Sequence, residues 1–269
     1  VDDSVSGSRF YTNDKGFFRD ITGQAGIQSS ALSYGLGAGI ADFNQDGWPD
    51  IYVSNDYAVP DRLYLNNQKG GFAELSLEQL GHTSNFSMGN DVADINNDLL
   101  PDIFTLDMLP EDNRRQKLLM APDNYYKFDL SVQSGFHHQY MRNMLHLNNG
   151  NGSFSEIGQV SGISNTDWSW SALFADYDND GWKDIFISNG IVRRPNDLDY
   201  IKYFSNDNVK TKLNTTKLLD KQALKKMPKG DVTNYIFQGS KDLQFKNKSN
   251  EWIENDSIIS NGGAYADLD

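Results

Sequence analysis

The sequence contains no cysteine. That removes disulfides, thiolate metal centres and cysteine nucleophiles, and leaves the redox compartment open. Histidine is scarce: His82, His137, His138 and His146 are all there are, and none has the spacing of a metal-ligand set or of a nucleophile's base. Basic residues are outnumbered, 24 Lys and Arg against 37 Asp and Glu, for a formal net charge of −13 and a pI near 4.6. Neutralising phosphates requires the opposite balance, so composition argues against a nucleic-acid partner and against a bare anionic membrane surface. No apolar run approaches the roughly 18 residues of a membrane-crossing helix. A phosphate-cradling glycine loop is also missing, because the glycine-rich stretch 35–39 lies in a strand pattern with no helix after it. From Val1 onward the opening residues are polar and do not read as a signal peptide.

What the sequence has in quantity is acid held in short clusters. Clustered carboxylates repel one another unless a cation sits among them, so the pattern points to bound metal. The clusters belong to an internal repeat. Tyr34-Gly35-Leu36-Gly37-Ala38-Gly39-Ile40-Ala41-Asp42 recurs without a gap at 86–94, 168–176 and 259–267, with Ala in the eighth column and Gly or Ser in the second and fourth. Small residues in fixed columns predict a strand packed closely against its neighbours. An apolar strand follows each of the first three copies, Asp50–Asn55, Asp102–Asp107 and Asp184–Asn189, and hairpin signatures precede the second and third, Leu63–Phe72 and Leu145–Phe154. The unit is four short strands in succession, the blade of an all-β propeller. The expected organisation is a single β-propeller fragment over 1–269, with repeats at about 8–56, 61–107, 143–190 and 234–269, the last truncated. Irregular insertions are expected at about 108–142 and 191–233, both entering between the same two strands. The fourth copy reaches only Asp267-Leu268-Asp269, in mid-motif, and the chain is expected to continue into further blades.

Between the two strands of each unit lies a nine-residue loop. Asp42-Phe43-Asn44-Gln45-Asp46-Gly47-Trp48-Pro49-Asp50 places oxygen-bearing side chains at positions 1, 3, 5 and 9 and Gly at 6. In a tightly curled loop, side chains at 1, 3 and 5 converge, and the position 7 carbonyl and position 9 carboxylate close an all-oxygen shell suited to Ca²⁺. The ligand sets are Asp42, Asn44, Asp46, Trp48 and Asp50; Asp94, Asn96, Asp98, Leu100 and Asp102; and Asp176, Asp178, Asp180, Trp182 and Asp184. Asp267 and Asp269 begin a fourth. The third loop carries four carboxylates and is expected to be the strongest. Leu99 stands where the turn prefers Gly, so the second is expected to be strained or weaker. An EF-hand is excluded, because position 12 is Val53, Thr105 or Ile187 instead of Glu, and a strand follows in place of a helix.

These loops and their flanking strands resemble FG-GAP/VCBS repeats, the calcium-binding blades shared with integrin α-subunit propellers. Leu63–Asn67, Trp168-Ser169-Trp170-Ser171 and Ser188–Ile191 further resemble the large VCBS-repeat surface lipoproteins of Bacteroidetes-type bacteria. The resemblance covers essentially the whole chain; Leu99 and the unfinished fourth loop depart from it. It implies an exported protein at the cell surface or outside the cell, with an outer-membrane complex as one setting, and a protein or glycan partner.

The remaining chemistry is thin. His146 occupies a strand position held by Tyr64 in the preceding repeat and is read as packing; His137, His138, Tyr140 and Arg142 are read as structural in preference to acid–base groups. Trp48, Trp182, Trp168 and Trp170 recur at equivalent positions, which favours packing over sugar stacking. Lys210, Lys212, Lys217, Lys221, Lys225, Lys226 and Lys229 alternate with Leu213, Leu218, Leu219 and Leu224 as a short basic amphipathic helix. The function expected is a non-catalytic calcium-binding recognition or assembly module. Its partner contacts are expected to come from the insertions, including Tyr125, Tyr126, His137, Arg193 and Arg194. The alternatives are a carbohydrate-active enzyme of the polysaccharide-lyase type on the same scaffold, and a purely structural subunit.

Overall fold

The computed structural model describes residues 7–119, 124–205, 224–254 and 256–266. It opens with a hairpin, β1 (Tyr11–Asp14) and β2 (Phe17–Asp20), closed over Lys15 and Gly16 with both at positive φ. That turn matches the twist of the strands it joins.

Three four-stranded antiparallel sheets follow. The first is β3 (Tyr34–Ala41), β4 (Asp50–Asp56), β5 (Arg62–Asn66) and β6 (Phe72–Glu74), hydrogen-bonded in chain order. After a helical turn, α1 (Ser76–Gln79), and a short strand, β7 (Thr83–Ser84), the second sheet begins with β8 (Asn90–Ala93) and β9 (Asp102–Thr105). The first insertion then intervenes with α2 (Asn113–Lys117), α3 (Tyr125–Gln133) and β10 (Gln139–Tyr140), which pairs in parallel with β7. The second sheet is completed by β11 (Met144–Asn148) and β12 (Phe154–Glu156). The third is β13 (Ser169–Ala175), β14 (Asp184–Asn189), then α4 (Leu198–Phe204) in the second insertion, then β15 (Tyr235–Gln238) and β16 (Lys246–Asn247), followed by α5 (Ser249–Trp252). The fold is an all-β partial propeller of meander blades.

The core lies between successive sheets. Tyr64, Ala25 and Ile27 join the opening hairpin region to the first sheet. Phe43, Tyr52, Leu63, Ile103 and Phe154 fill the space between the first and second, and Phe104, Leu145, Ala172, Ile185 and Phe237 fill that between the second and third. The second sheet is covered on both faces, so every residue of β9 is buried and its apolar run is nearly continuous. The first strands β3, β8 and β13 approach most closely. A Cβ on Gly37 would stand 2.8 Å from Asn90 Nδ2, and one on Gly89 2.3 Å from Trp170 O. This contact explains the small residues in the fourth column of the repeat.

In each sheet the Asp loop joins the first and second strands and a hairpin turn joins the third and fourth, so both lie at one end. The second-to-third connection lies at the other. It is short in the first sheet, Asp56 to Arg62, and carries the insertions in the other two, Thr105 to Met144 and Asn189 to Tyr235. The two insertions bridge each other: Leu119 pairs with Asp197, and Leu198 N donates to Leu118 O at 2.8 Å.

The fourth motif copy is in no strand ladder among its described residues, 259–266. It lies along the third sheet, with Ser260 N donating to Asn189 O at 2.8 Å and the Tyr265 ring 5.8 Å from that of Tyr177. The other copies pair with the strand after their Asp loop. Asp267, Asp269 and residues 206–223, most of the expected basic helix, lie outside the described residues; 224–226 are helical.

Candidate metal centres and the opposite face

The three complete loops fold alike. The position 5 amide donates to the position 1 carboxylate, Asp46 N to Asp42 Oδ1 at 3.0 Å, Asp98 N to Asp94 Oδ1 at 3.1 Å and Asp180 N to Asp176 Oδ1 at 3.0 Å. The position 6 amide donates to the other oxygen of the same carboxylate, from Gly47 at 2.7 Å, Leu99 at 2.8 Å and Gly181 at 2.9 Å. The position 7 amide donates to the position 5 carboxylate, from Trp48, Leu100 and Trp182 at 2.8–2.9 Å. These bonds curl the backbone around side chains 1, 3 and 5. Positions 4 and 6 take positive φ: Gln45, Asn97 and Asn179 at 57–60°, Gly47 and Gly181 at 86° and 91°. Leu99, at 72°, holds the conformation its neighbours give to glycine, and its side chain is 81% exposed.

The position 9 carboxylates, Asp50, Asp102 and Asp184, are fully buried. Each accepts two backbone amides, one from loop position 2 (Phe43, Ile95, Tyr177) and one from the neighbouring hairpin (Asn66, Asn148, Gly239), at 2.7–3.0 Å. They therefore tie the loop to the sheet. Burial pushes all three up, the two amide bonds oppose it, and the other loop carboxylates add to it; Asp102 reaches about 7. A bound cation would reverse that direction.

One oxygen from each of Asp176, Asp178 and Asp184 lies within 4.8 Å of the others. With Asp180 beside them the donor set is all oxygen and strongly anionic, which fits a hard divalent cation. In the first and second loops Asn44 and Asn96 replace one carboxylate and donate to Asp46 and Asp98 at 3.1 and 2.9 Å. Hairpin carboxamides reach in as well, Gln68 to Asp46 at 3.0 Å and Gln238 to Asp178 at 2.6 Å. The Gln68 bond, against the opposing pull of slight desolvation, holds the Asp46 carboxyl below its usual range.

At the opposite end the expected contact residues separate. Tyr125 and Tyr126, on α3, are 72% and 83% exposed and pack edge to face on each other. His137 is buried, its Nε2 2.7 Å from Leu80 O. Arg193 Nη1 donates to Met227 O at 3.1 Å. Arg194 is buried; its Nη1 donates to Asp167 Oδ1 at 3.0 Å and its Nε to Lys229 O at 3.1 Å. Arg115 of α2 contacts the second oxygen of the same Asp167 carboxylate. Sequence reasoning missed this two-arginine arrangement, because its members lie far apart in the chain and belong to no repeat column.

Repeated meander blades with Asp loops at one end define a β-propeller-type repeat protein. The FG-GAP-like repeat family model matches residues 42–105 and 129–187, stretches that contain the first two loops and the third. These two regions are FG-GAP-like repeats. No curated protein matches it.

Proposed function

We propose that this chain is a non-catalytic recognition module whose Asp loops bind Ca²⁺ and whose insertions contact a glycan or protein at the cell surface or outside the cell. The observation that carries this reading is the repetition of one loop geometry. Asp42, Asn44, Asp46 and Asp50 recur as Asp94, Asn96, Asp98 and Asp102 and as Asp176, Asp178, Asp180 and Asp184, each set curled by the same amide bonds. The carbonyls of Trp48, Leu100 and Trp182 supply the remaining protein oxygen. Calcium bound only by the folded state stabilises it by mass action, making the loop end stiff. Recognition is then left to the other end, where the two insertions are bridged to each other. The FG-GAP-like match supports a recognition or adhesion role. Calcium titration followed by thermal melting tests the proposal. The melting temperature should climb with calcium and return when EDTA is added; a curve indifferent to both would end the calcium part of the reading.

A further inference from the structure

On the insertion end, a recess of about 600 Å³ opens between α2, α4 and the segment 226–231. Its size is that of a small-ligand pocket. Its lining runs against the charge of the chain as a whole. Arg114, Arg115, Arg194, Lys226 and Lys229 all border it, in a protein with a formal charge of −13.

The base of the recess is built, not merely decorated. Arg194 is only 7% exposed and Asp167 5%. Arg115 and Arg194 share the single Asp167 carboxylate, one guanidinium on each oxygen. Asp231 adds a further negative charge in the field of Arg194, so what the base lacks is a hydrogen-bond acceptor. Arg115 Nη2 is buried and has no hydrogen-bond partner among the described residues, although the Arg115 side chain as a whole is 30% exposed. A buried donor left unpaired is costly, and an arriving anion would relieve it. Burial pulls Arg194 below its ordinary range, with Asp167 and Asp231 opposing.

The rest of the lining selects among anions. Exposed Asp199 and Asp231 also border the recess. They would repel a ligand that offers carboxylates and no hydroxyls, such as an acidic peptide, but accept hydrogen bonds from hydroxyl groups. Tyr200 and Tyr203 also border the recess, and the ring of Tyr203 is covered by Lys226 at 4.2 Å. A compact ligand with a carboxylate among many hydroxyls meets both signs of charge.

We propose that this recess binds an acidic saccharide, with a sugar carboxylate directed at the Arg115–Arg194 base and hydroxyls at Asp199 and Asp231. The inference rests on the reading of the insertions as the recognition end, and narrows its partner to a uronic-acid-bearing glycan.

Calorimetric titration of the full chain at constant calcium with trigalacturonate, its methyl ester, maltotriose and a hexaglutamate peptide tests it. Trigalacturonate should bind, more weakly as salt rises. Loss of the carboxylate contacts should leave the ester and maltotriose at least about tenfold weaker, about 1.4 kcal/mol. Arg114→Ala combined with Lys226→Ala should weaken trigalacturonate by a similar factor with an unchanged melting temperature; both residues are exposed on the recess wall, so folding is not at stake. Equal binding of acid and ester, preference for the peptide, absence of binding, or indifference to the double substitution would each overturn the proposal. Calcium-dependent melting of the same sample reports on the metal loops separately. Trigalacturonate failing while another glycan or protein is retained through the insertions would leave the broader reading standing.

Discussion

The side-chain amide of Asn97 donates to the carbonyl of Gly181 at 3.0 Å, linking position 4 of the second Asp loop to position 6 of the third. Gln45 makes the same link from the first loop to the second, donating to Leu99 O at 3.0 Å. Neighbouring loops are therefore joined by one repeated hydrogen bond between blades, and the bond ends on the residue whose amide holds the position 1 carboxylate.

Asn97 and Asn179 both stand at positive φ, so replacing either by Ala gives up asparagine's tolerance of that conformation. The side chain of Asn179 makes no hydrogen bond among the described residues, so Asn97→Ala should cost about 1 kcal/mol more than Asn179→Ala, the net worth of one such bond. Urea denaturation in excess calcium compares the two. Equal effects would mean that the inter-blade bond adds nothing.

Leu99→Gly should stabilise the protein. A non-glycine residue in the left-handed region costs roughly 1–2 kcal/mol, while glycine's extra freedom in the unfolded chain returns roughly 0.5–1 kcal/mol of that. A net gain of up to about 1.5 kcal/mol is expected, with a rise in melting temperature. At Gly47 and Gly181 a Cβ would meet nothing within 4 Å, so the preference at this loop position is one of backbone conformation alone. A fall in stability would show that Leu99 makes a compensating contact.

The blades were legible because each is written several times. Three of the four aligned copies mark first strands, the small residues of the fourth column announce the close approach of β3, β8 and β13, and the oxygen-bearing side chains at positions 1, 3, 5 and 9 announce the loops; the fourth copy, 259–266, forms no strand ladder among the described residues. The recurring carboxamide at position 4, Gln45, Asn97 and Asn179, was also visible, but its meaning depends on a partner 54 or 84 residues away. The insertions gave no such signal, since each occurs once. Nothing local tells that His137 turns inward onto Leu80, or that Arg115 and Arg194 meet on Asp167. Those contacts follow from how two unrelated segments fold against each other.

Asp178→Ala separates metal binding from folding. With calcium present it should remove the third ion and lower the melting temperature, while the first site keeps its affinity. In EDTA the loss largely disappears, because deleting one of four crowded carboxylates relieves repulsion and offsets the lost bonds to Asp180 N and Gln238. The variant should then melt within about 1 °C of the parent, a shift corresponding to a small fraction of 1 kcal/mol. The same loss of stability with and without calcium would assign Asp178 a packing role only.

Two residues away from the loops, His146 and Glu156, each contribute stability that acid removes, in two overlapping pH windows. His146 is completely buried; burial lowers its imidazole to about 4, although its bond to His82 O pulls the other way. A folded-state value below the unfolded 6.5 means that the unfolded chain binds the proton more readily, so stability is lost as pH falls from about 6.5 to about 4. Glu156 is opposed by burial yet held near 2 by His82, by Gly158 N at 2.6 Å and by Arg142 at 3.1 Å. Its contribution is complete above about 4.5 and disappears as pH falls toward about 2, with a total on the order of 2–3 kcal/mol. Asp61 and Asp102, which burial pushes up to about 7, and Asp56, pushed up to about 6, act the other way, because the folded state binds their protons first and gains stability as pH falls toward about 4. The His146 and Glu156 contributions are therefore read as differences between variant and parent, from urea midpoints measured from pH 7 to pH 3 at fixed ionic strength. His146→Gln, which keeps a donor for His82 O, should flatten the portion between about 6.5 and 4 and leave the lower portion steep. Glu156→Gln should do the reverse, at the expense of stability at neutral pH. A His146→Gln profile parallel to that of the parent would place the upper acid transition elsewhere in the molecule.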